Sequence, residues 1–312
     1  MTDAVPTDRT PDAAGVAEVR TPRPEFLAAC WTSAGDVMPL RGPDTSPLDV
    51  QTRIEAVART GYTGFGLTHA DLLVAKAGVG LTAVAQMLRD HGIEIVQLER
   101  VNDWWTTGER KTSSDALRAD LFDACAVLGV DNIKVGADDD DDPVSWDQLC
   151  AGFDALADAG REAGVKIAYE NTPFSPSSIR STEQAIKLIA DVGNDNGGLI
   201  LDIWHAYRGG TDYNHLDQLP PEFLFGVELD DGASELVGTQ IEDTFDNRML
   251  CGTGDFDVPA FIVAVQQLGW TGPWGIEHMS KAHRRLRVDV GLQQARDAAL
   301  ACFDLVEERR RR

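Results

Sequence analysis

The chain has 312 residues, 43% of them apolar, with a formal charge of -23 and a sequence pI of about 4.5. That is enough apolar chain for one large core. So acidic a balance excludes nucleic acid or an anionic membrane as the main partner, since both need a basic footprint. Residues 1–23, rich in Thr, Pro, Asp and Ala, lack apolar periodicity and read as a disordered tail. Residues 24–308 carry regular patterning, and 309–312 are four arginines, read as a basic C-terminal tail.

Glu25 to Trp31 reads as a strand, and Val50, Ile54, Val57 and Ala58 mark a helix over 48–60 that stops at Gly61. The unit then recurs. Tyr62 to Leu67 is a strand and Leu81 to Asp90 a helix. Ile93 to Leu98 is a strand ending in Glu99, and Ala116 to Leu128 is a helix stopped by Gly129. Asn132 to Val135 and Trp146 to Ala163 form the fourth pair. A run of five acids, Asp138 to Asp142, reads as a solvated loop between them. The stretch from Val165 to Gly210 holds an apolar run ending in Glu170, a helix of about three turns, and a second apolar run ending in Asp202. Leu224 to Leu229, Val258 to Leu268, Trp274 to Glu277 and Leu292 to Glu307 complete the alternation. The sixth unit has little room for a helix, because HLDQLPPE fills it. Eight strand–helix units predict a single-domain (β/α)8 TIM barrel, and no G-x-G-x-x-G follows the first strand to suggest a dinucleotide fold.

Cys30, Cys125, Cys150, Cys251 and Cys302 are odd in number and lack C-x-x-C spacing, as expected of core thiols in a reducing compartment. No run of 18 apolar residues and no signal pattern is present, so a soluble, cytoplasmic protein without a membrane partner is expected.

In such a barrel the chemistry sits where strands end. His69, Glu99, Lys134, Glu170, Asp202, Glu228 and Glu277 fall there, with His205 and Arg248 just beyond. Several acids at one mouth repel unless protons or a cation neutralise them, and a divalent ion is the economical answer. If strand register slips, Asp230 or Asp231 replaces Glu228 as the inward acid. Trp31 and Trp104 are candidate pocket walls, since indoles offer large flat faces for stacking. His278 should point away from the interior by strand alternation.

The segments Y-E-N (169–171), L-D-I-W-H (201–205), V-E-L-D-D (227–231), N-R-M-L-C-G-T-G-D-F-D (247–257) and G-I-E-H (275–278) resemble the xylose isomerase-like TIM barrels. The resemblance extends over 25–305 and is most specific in the D-x-x-H and G-x-G-x-x-D segments. It implies a metal-dependent enzyme of the sugar isomerase and epimerase kind. Glu170, Asp202 and Glu277 are then metal ligands, His205 a substrate contact, and Arg248 a holder of substrate oxygens. Relatives commonly carry histidine where this chain has Glu228, so either Glu228 is the fourth ligand or that ligand comes from elsewhere. With Glu228 the shell is all oxygen, favouring Mn²⁺ or Mg²⁺ over Zn²⁺, and the endonuclease IV branch with its zinc cluster does not fit.

The reaction implied is isomerisation or epimerisation of a small carbohydrate, or of a ketone derived from one, by proton abstraction through a metal-stabilised enediolate. Glu170 and Glu277 serve as the acid/base pair, and Lys134, His69 and Glu99 as further substrate contacts. The alternatives are a dehydratase or lyase of the inosose, 3-dehydroshikimate or 3-oxo-glycoside type, and a non-catalytic binding barrel. Relatives are often dimers or tetramers, so a homo-oligomer is expected.

Overall fold

The computed structural model describes residues 23–136, 144–173 and 176–312; nearly all of the expected N-terminal tail and the acidic run Asp138 to Asp142 lie outside them. Eight parallel strands close into a barrel in sequence order, β1 pairing with both β2 and β8. They are β1 Phe26–Ala28, β2 Gly64–Thr68, β3 Ile95–Val101, β4 Asn132–Val135, β5 Lys166–Tyr169, β6 Gly197–Asp202, β7 Leu224–Leu229 and β8 Trp274–Ile276. The (β/α)8 reading is therefore correct. Parallel neighbours require a crossover each time, and right-handed crossovers through helices place all strand C-termini on one face.

The helices start and stop where local chemistry dictates. Asp49 accepts the Thr52 amide at 2.8 Å to open the helix Val50–Arg59. Ser145 and Ser181 form capping boxes with Gln148 and Gln184 at the heads of Trp146–Ala163 and Thr182–Val192. These two helices end at Gly164 and Gly193, both left-handed.

Several boundaries differ from the sequence expectation. The first strand ends at Ala28, and Cys30–Ser33 is a short helix. A helix at His69–Ala77 fills what read as a connection, capped by the Thr68 hydroxyl on Asp71 N. The sixth unit is built from Ile203–Arg208 and two 3-10 turns, Tyr213–Gln218 and Pro221–Phe223. The closing helix runs through Arg310, beyond the expected boundary at 308. There Arg310 bonds Gln266 at 2.7 Å and Glu307 at 3.0 Å, and positive charge suits a helix C-terminus. Among the described residues no single helix is long and apolar enough to cross a membrane.

The main core lies between strands and helices, and a small second cluster, Ala168, Ile200 and Phe225, fills the barrel floor. The interior is narrow. A Cβ on Gly66 would meet the Cys30 amide nitrogen at 2.5 Å, and one on Gly226 would meet Ile200 at 3.0 Å. Above that floor, strand alternation turns Lys134, Glu170, Asp202, Glu228 and Glu277 toward one another.

Candidate metal centre

Asp202 closes β6 and caps the following helix, its Oδ1 accepting the Trp204 amide at 2.6 Å and the His205 amide at 3.1 Å. That cap fixes the carboxylate and turns His205, one helical step on, over the barrel mouth. Glu170 and Glu277 follow β5 and β8 directly, and the backbone amides of both donate to the neighbouring strand, at Val135 O and Leu229 O. One ligand atom each from Glu170, Asp202, His205 and Glu277 lies within 4.8 Å of the other three, and all four residues are buried.

Glu170 Oε1 and His205 Nδ1 are buried without a hydrogen-bond partner, although the Glu170 atom lies 3.1 Å from the Lys134 ammonium. Buried polar atoms left unmatched in this way mark a place for something more. Three carboxylates and one imidazole at this separation fit a divalent ion.

Glu228 does not join this group, contrary to the expectation that it completes the ligand set. Its Oε1 accepts from Gln97 Nε2 at 3.2 Å and its Oε2 from Lys134 Nζ at 2.7 Å, so both oxygens are engaged, with the Glu170 carboxyl also beside it. His205, read as a substrate contact, lies with Glu170, Asp202 and Glu277 in the group that could hold an ion. Its place follows from helical spacing after Asp202, whereas Glu228 sits in register with Asp202 on the adjacent strand. The alternatives are also accounted for. Asp230 pairs with Arg248, and Asp231 accepts the amides of Gly232, Gly254 and Phe256, organising the G-T-G-D-F-D loop.

Lys134 is fully buried, and its Nζ lies 3.0 Å from Glu277 Oε1 and 3.4 Å from Glu99 Oε2, besides its contacts to Glu170 and Glu228. Arg248 is equally buried. Its Nη1 reaches Asp202 Oδ2 at 2.9 Å and Glu277 Oε2 at 3.2 Å, while its Nε and Nη2 donate to the Thr244 carbonyl and hydroxyl at 3.1 and 3.2 Å.

Burial raises the Glu228 and Glu99 carboxyls above the usual range; Lys134 opposes this and neighbouring carboxylates reinforce it. Asp230 is raised likewise by burial, against the pull of Arg248. Burial also pushes Glu170 up, but Lys134 and His205 outweigh it and hold this carboxyl below its ordinary value. Lys134 loses by burial and gains more from Glu170, Glu228, Glu277 and Glu99, which keep it charged.

Three other expected contacts stand outside the four-residue group. His69 turns outward, its Nε2 3.2 Å from Asp120 on the helix Gly108–Leu128. Trp104 is buried against Trp105, Phe153 and Tyr169, its indole donating to the Gly136 carbonyl at 2.8 Å. Trp31, on the short helix after β1, lines a recess of about 10 Å³ with Met38, Phe245 and His278. The large apolar surface of Trp104 is satisfied by core packing, a demand that composition alone does not separate from ligand stacking, while Trp31 is half-buried. His278 packs edge-on against His283, 4.7 Å between ring centres.

The match to the xylose isomerase-like TIM barrel family covers residues 54–299. The chain belongs to this family. A 3-dehydroshikimate dehydratase of Pseudomonas aeruginosa is 27% identical over 234 residues, 74% of this chain and 36% of the relative. An inosose isomerase of Bacillus subtilis is 27% identical over 141 residues, 45% of this chain and 50% of the relative. The chain therefore spans half or less of these relatives' lengths. Among solved structures, the IOLI protein with a zinc atom superposes with a TM-score of 0.78 at 20% identity, over 91% of this chain and 98% of that one. This likeness concerns the fold.

Gly275 makes room for Glu228, because a Cβ there would meet Glu228 Cγ at 2.8 Å. Gly275→Ala is therefore expected to cost about 1–3 kcal/mol by overpacking, read as a lowered denaturant midpoint. An unchanged midpoint would mean that Glu228 has freedom to move aside.

Proposed function

We propose that this barrel is a divalent-metal-dependent isomerase or epimerase of a small sugar or sugar-derived ketone, acting by proton abstraction beside a carbonyl. The observation that carries the reading is the convergence of Glu170, Asp202, His205 and Glu277 within 4.8 Å at the strand ends, the edge where such folds do their chemistry. Three carboxylates favour Mn²⁺ or Mg²⁺, and the imidazole of His205 extends the choice to Zn²⁺. When bound, the ion supplies positive charge against substrate oxygens.

The protein's own groups do the proton work. Glu170 takes the proton from the carbon next to the carbonyl, and Glu277, three strands away just after β8, is placed to return one. Arg248 anchors Asp202 and Glu277 from the loop after β7. Burial of the whole group excludes water that would otherwise compete for the proton.

A second reading, elimination by a dehydratase, is favoured by one observation: the 3-dehydroshikimate dehydratase matches 74% of the chain against 45% for the inosose isomerase. Both share the first step. The protein loaded with Mn²⁺ is to be incubated in D₂O with ketoses, inososes and 3-dehydroshikimate, and followed by proton NMR and ultraviolet absorbance. Loss of a C–H signal without a new chromophore is the result expected; a conjugated product would establish elimination instead. If neither appears with any ketone and no divalent ion is retained, the protein is a binding barrel and the enzyme reading fails.

A further inference from the structure

Lys134 Nζ lies 3.1 Å from Glu170 Oε1 and 3.0 Å from Glu277 Oε1, on two of the four residues that would hold the ion, and 2.7 Å from Glu228 Oε2. We propose that this ammonium is a built-in rival of the divalent ion: it neutralises the carboxylates the ion needs and so sets the affinity of the site, with Glu228 and Gln97 as positioning residues that hold it in place. The inference rests on the metal-site reading above.

The carboxylates of the cluster are shared between two resident cations. Asp202 Oδ2 and Glu277 Oε2 face Arg248, at 2.9 and 3.2 Å, whereas Glu277 Oε1 and Glu170 Oε1 face Lys134. Arg248 is fixed, because its remaining nitrogens are bound to Thr244 and its Nη1 also holds Asp230.

Lys134 is held differently. It reaches the site on a flexible four-carbon stem from β4 and has two partners outside the four-residue group, in Glu228 at 2.7 Å and Glu99 at 3.4 Å. An ion entering among Glu170, Asp202, His205 and Glu277 repels the ammonium, which can retreat onto Glu228 and Glu99 and stay paired. Glu228 is kept ready for this by Gln97 Nε2 at 3.2 Å. The cost of that retreat is subtracted from the free energy of ion binding, so the site is weaker for divalent ions than its donor set alone would make it.

The test is calorimetric titration with Mn²⁺, paired with thermal unfolding with and without Mn²⁺, on the natural protein, on Lys134→Met, and on Lys134→Met combined with Glu228→Gln. The double variant removes the ammonium together with a charge it balances, and so preserves a foldable comparison if the single variant is unstable. Both variants are expected to bind Mn²⁺ at least about tenfold more tightly than the natural protein. The ion should also raise their unfolding temperatures by more than it raises that of the natural protein. A residue that only supports the fold would lower stability and affinity together.

Equal or weaker Mn²⁺ binding in both variants, with the natural protein binding normally, overturns the inference while leaving the metal site standing. Binding seen only after Lys134 is replaced supports it. Failure of all three proteins to bind Mn²⁺ removes the metal reading and the inference with it.

Discussion

Arg248→Met is expected to destabilise the barrel by about 3–5 kcal/mol, the cost of leaving buried carboxylates without their counter-ion. Arg248 touches Asp202, Asp230 and Glu277 at once, and none of these side chains is more than slightly exposed. Asp202 keeps two amide bonds to its Oδ1 when the guanidinium is lost. Asp230 fares worse, since its Oδ1 already has no hydrogen-bond partner and its Oδ2 depends on Arg248. Burial holds the Asp230 carboxyl well above the ordinary aspartate value even with the arginine present, and the variant removes the main opposing influence.

The sign of the pH dependence follows. A carboxyl whose folded value lies above its unfolded value favours the folded state below the unfolded value and loses that advantage as pH rises through the folded one. The deficit of Arg248→Met relative to the natural protein should therefore be largest at neutral pH and shrink as pH falls toward the ordinary aspartate range. Urea midpoints at several pH values measure it. A deficit independent of pH would mean that lost packing over Trp204, 5.2 Å from the guanidinium, is the larger effect. Arg248→Lys should recover only part of the loss, since one ammonium does not span the fork from Thr244 to Asp202 and Asp230.

This buried network marks the division between what the sequence shows and what it does not. Eight strand–helix units are readable because apolar runs and stop signals are local, and a parallel sheet buried on both faces writes nearly continuous apolar strands. Glu170, Asp202 and Glu277 are readable for the same reason, as acids at the ends of such runs.

Glu228 looks equivalent by that rule and is not. Whether a strand-end acid meets an ion or a lysine depends on a partner 94 residues away, and no local pattern encodes the length of a side chain reaching across a barrel. His205 illustrates the opposite case, since three residues after a helix-capping aspartate is one turn, and that spacing brings the imidazole beside Glu170, Asp202 and Glu277. His69 was legible as a residue after β2, but the Thr68 cap starts a helix there and the ring leaves the mouth for Asp120. For Trp104 the surrounding aromatic residues decide, and besides its neighbour Trp105 they come from a helix, Phe153, and from β5, Tyr169.

Glu170→Gln is expected to reduce carbon-bound hydrogen exchange by about 10²–10⁴-fold, the range spanned by positioned general bases, with little change in fold. The amide is nearly isosteric, and Lys134, which loses the Glu170 partner at 3.1 Å, keeps Glu228 and Glu277 at 2.7 and 3.0 Å. The substitution also removes one negative charge from the group that surrounds Lys134, so Mn²⁺ affinity should fall as well. That second effect would mimic the first at low ion concentration. Exchange must therefore be measured at Mn²⁺ concentrations that saturate the variant, with saturation established by calorimetry on the same sample. A rate that recovers fully at saturation means Glu170 serves only to hold the ion, and the proton passes to another group, of which Glu277 is the nearest by geometry. A rate that stays low assigns the base to Glu170. The comparison is sharpened by Glu228→Gln, whose oxygens are engaged by Gln97 and Lys134 and which stands outside the four-residue group: it should leave exchange at saturating Mn²⁺ far closer to that of the natural protein.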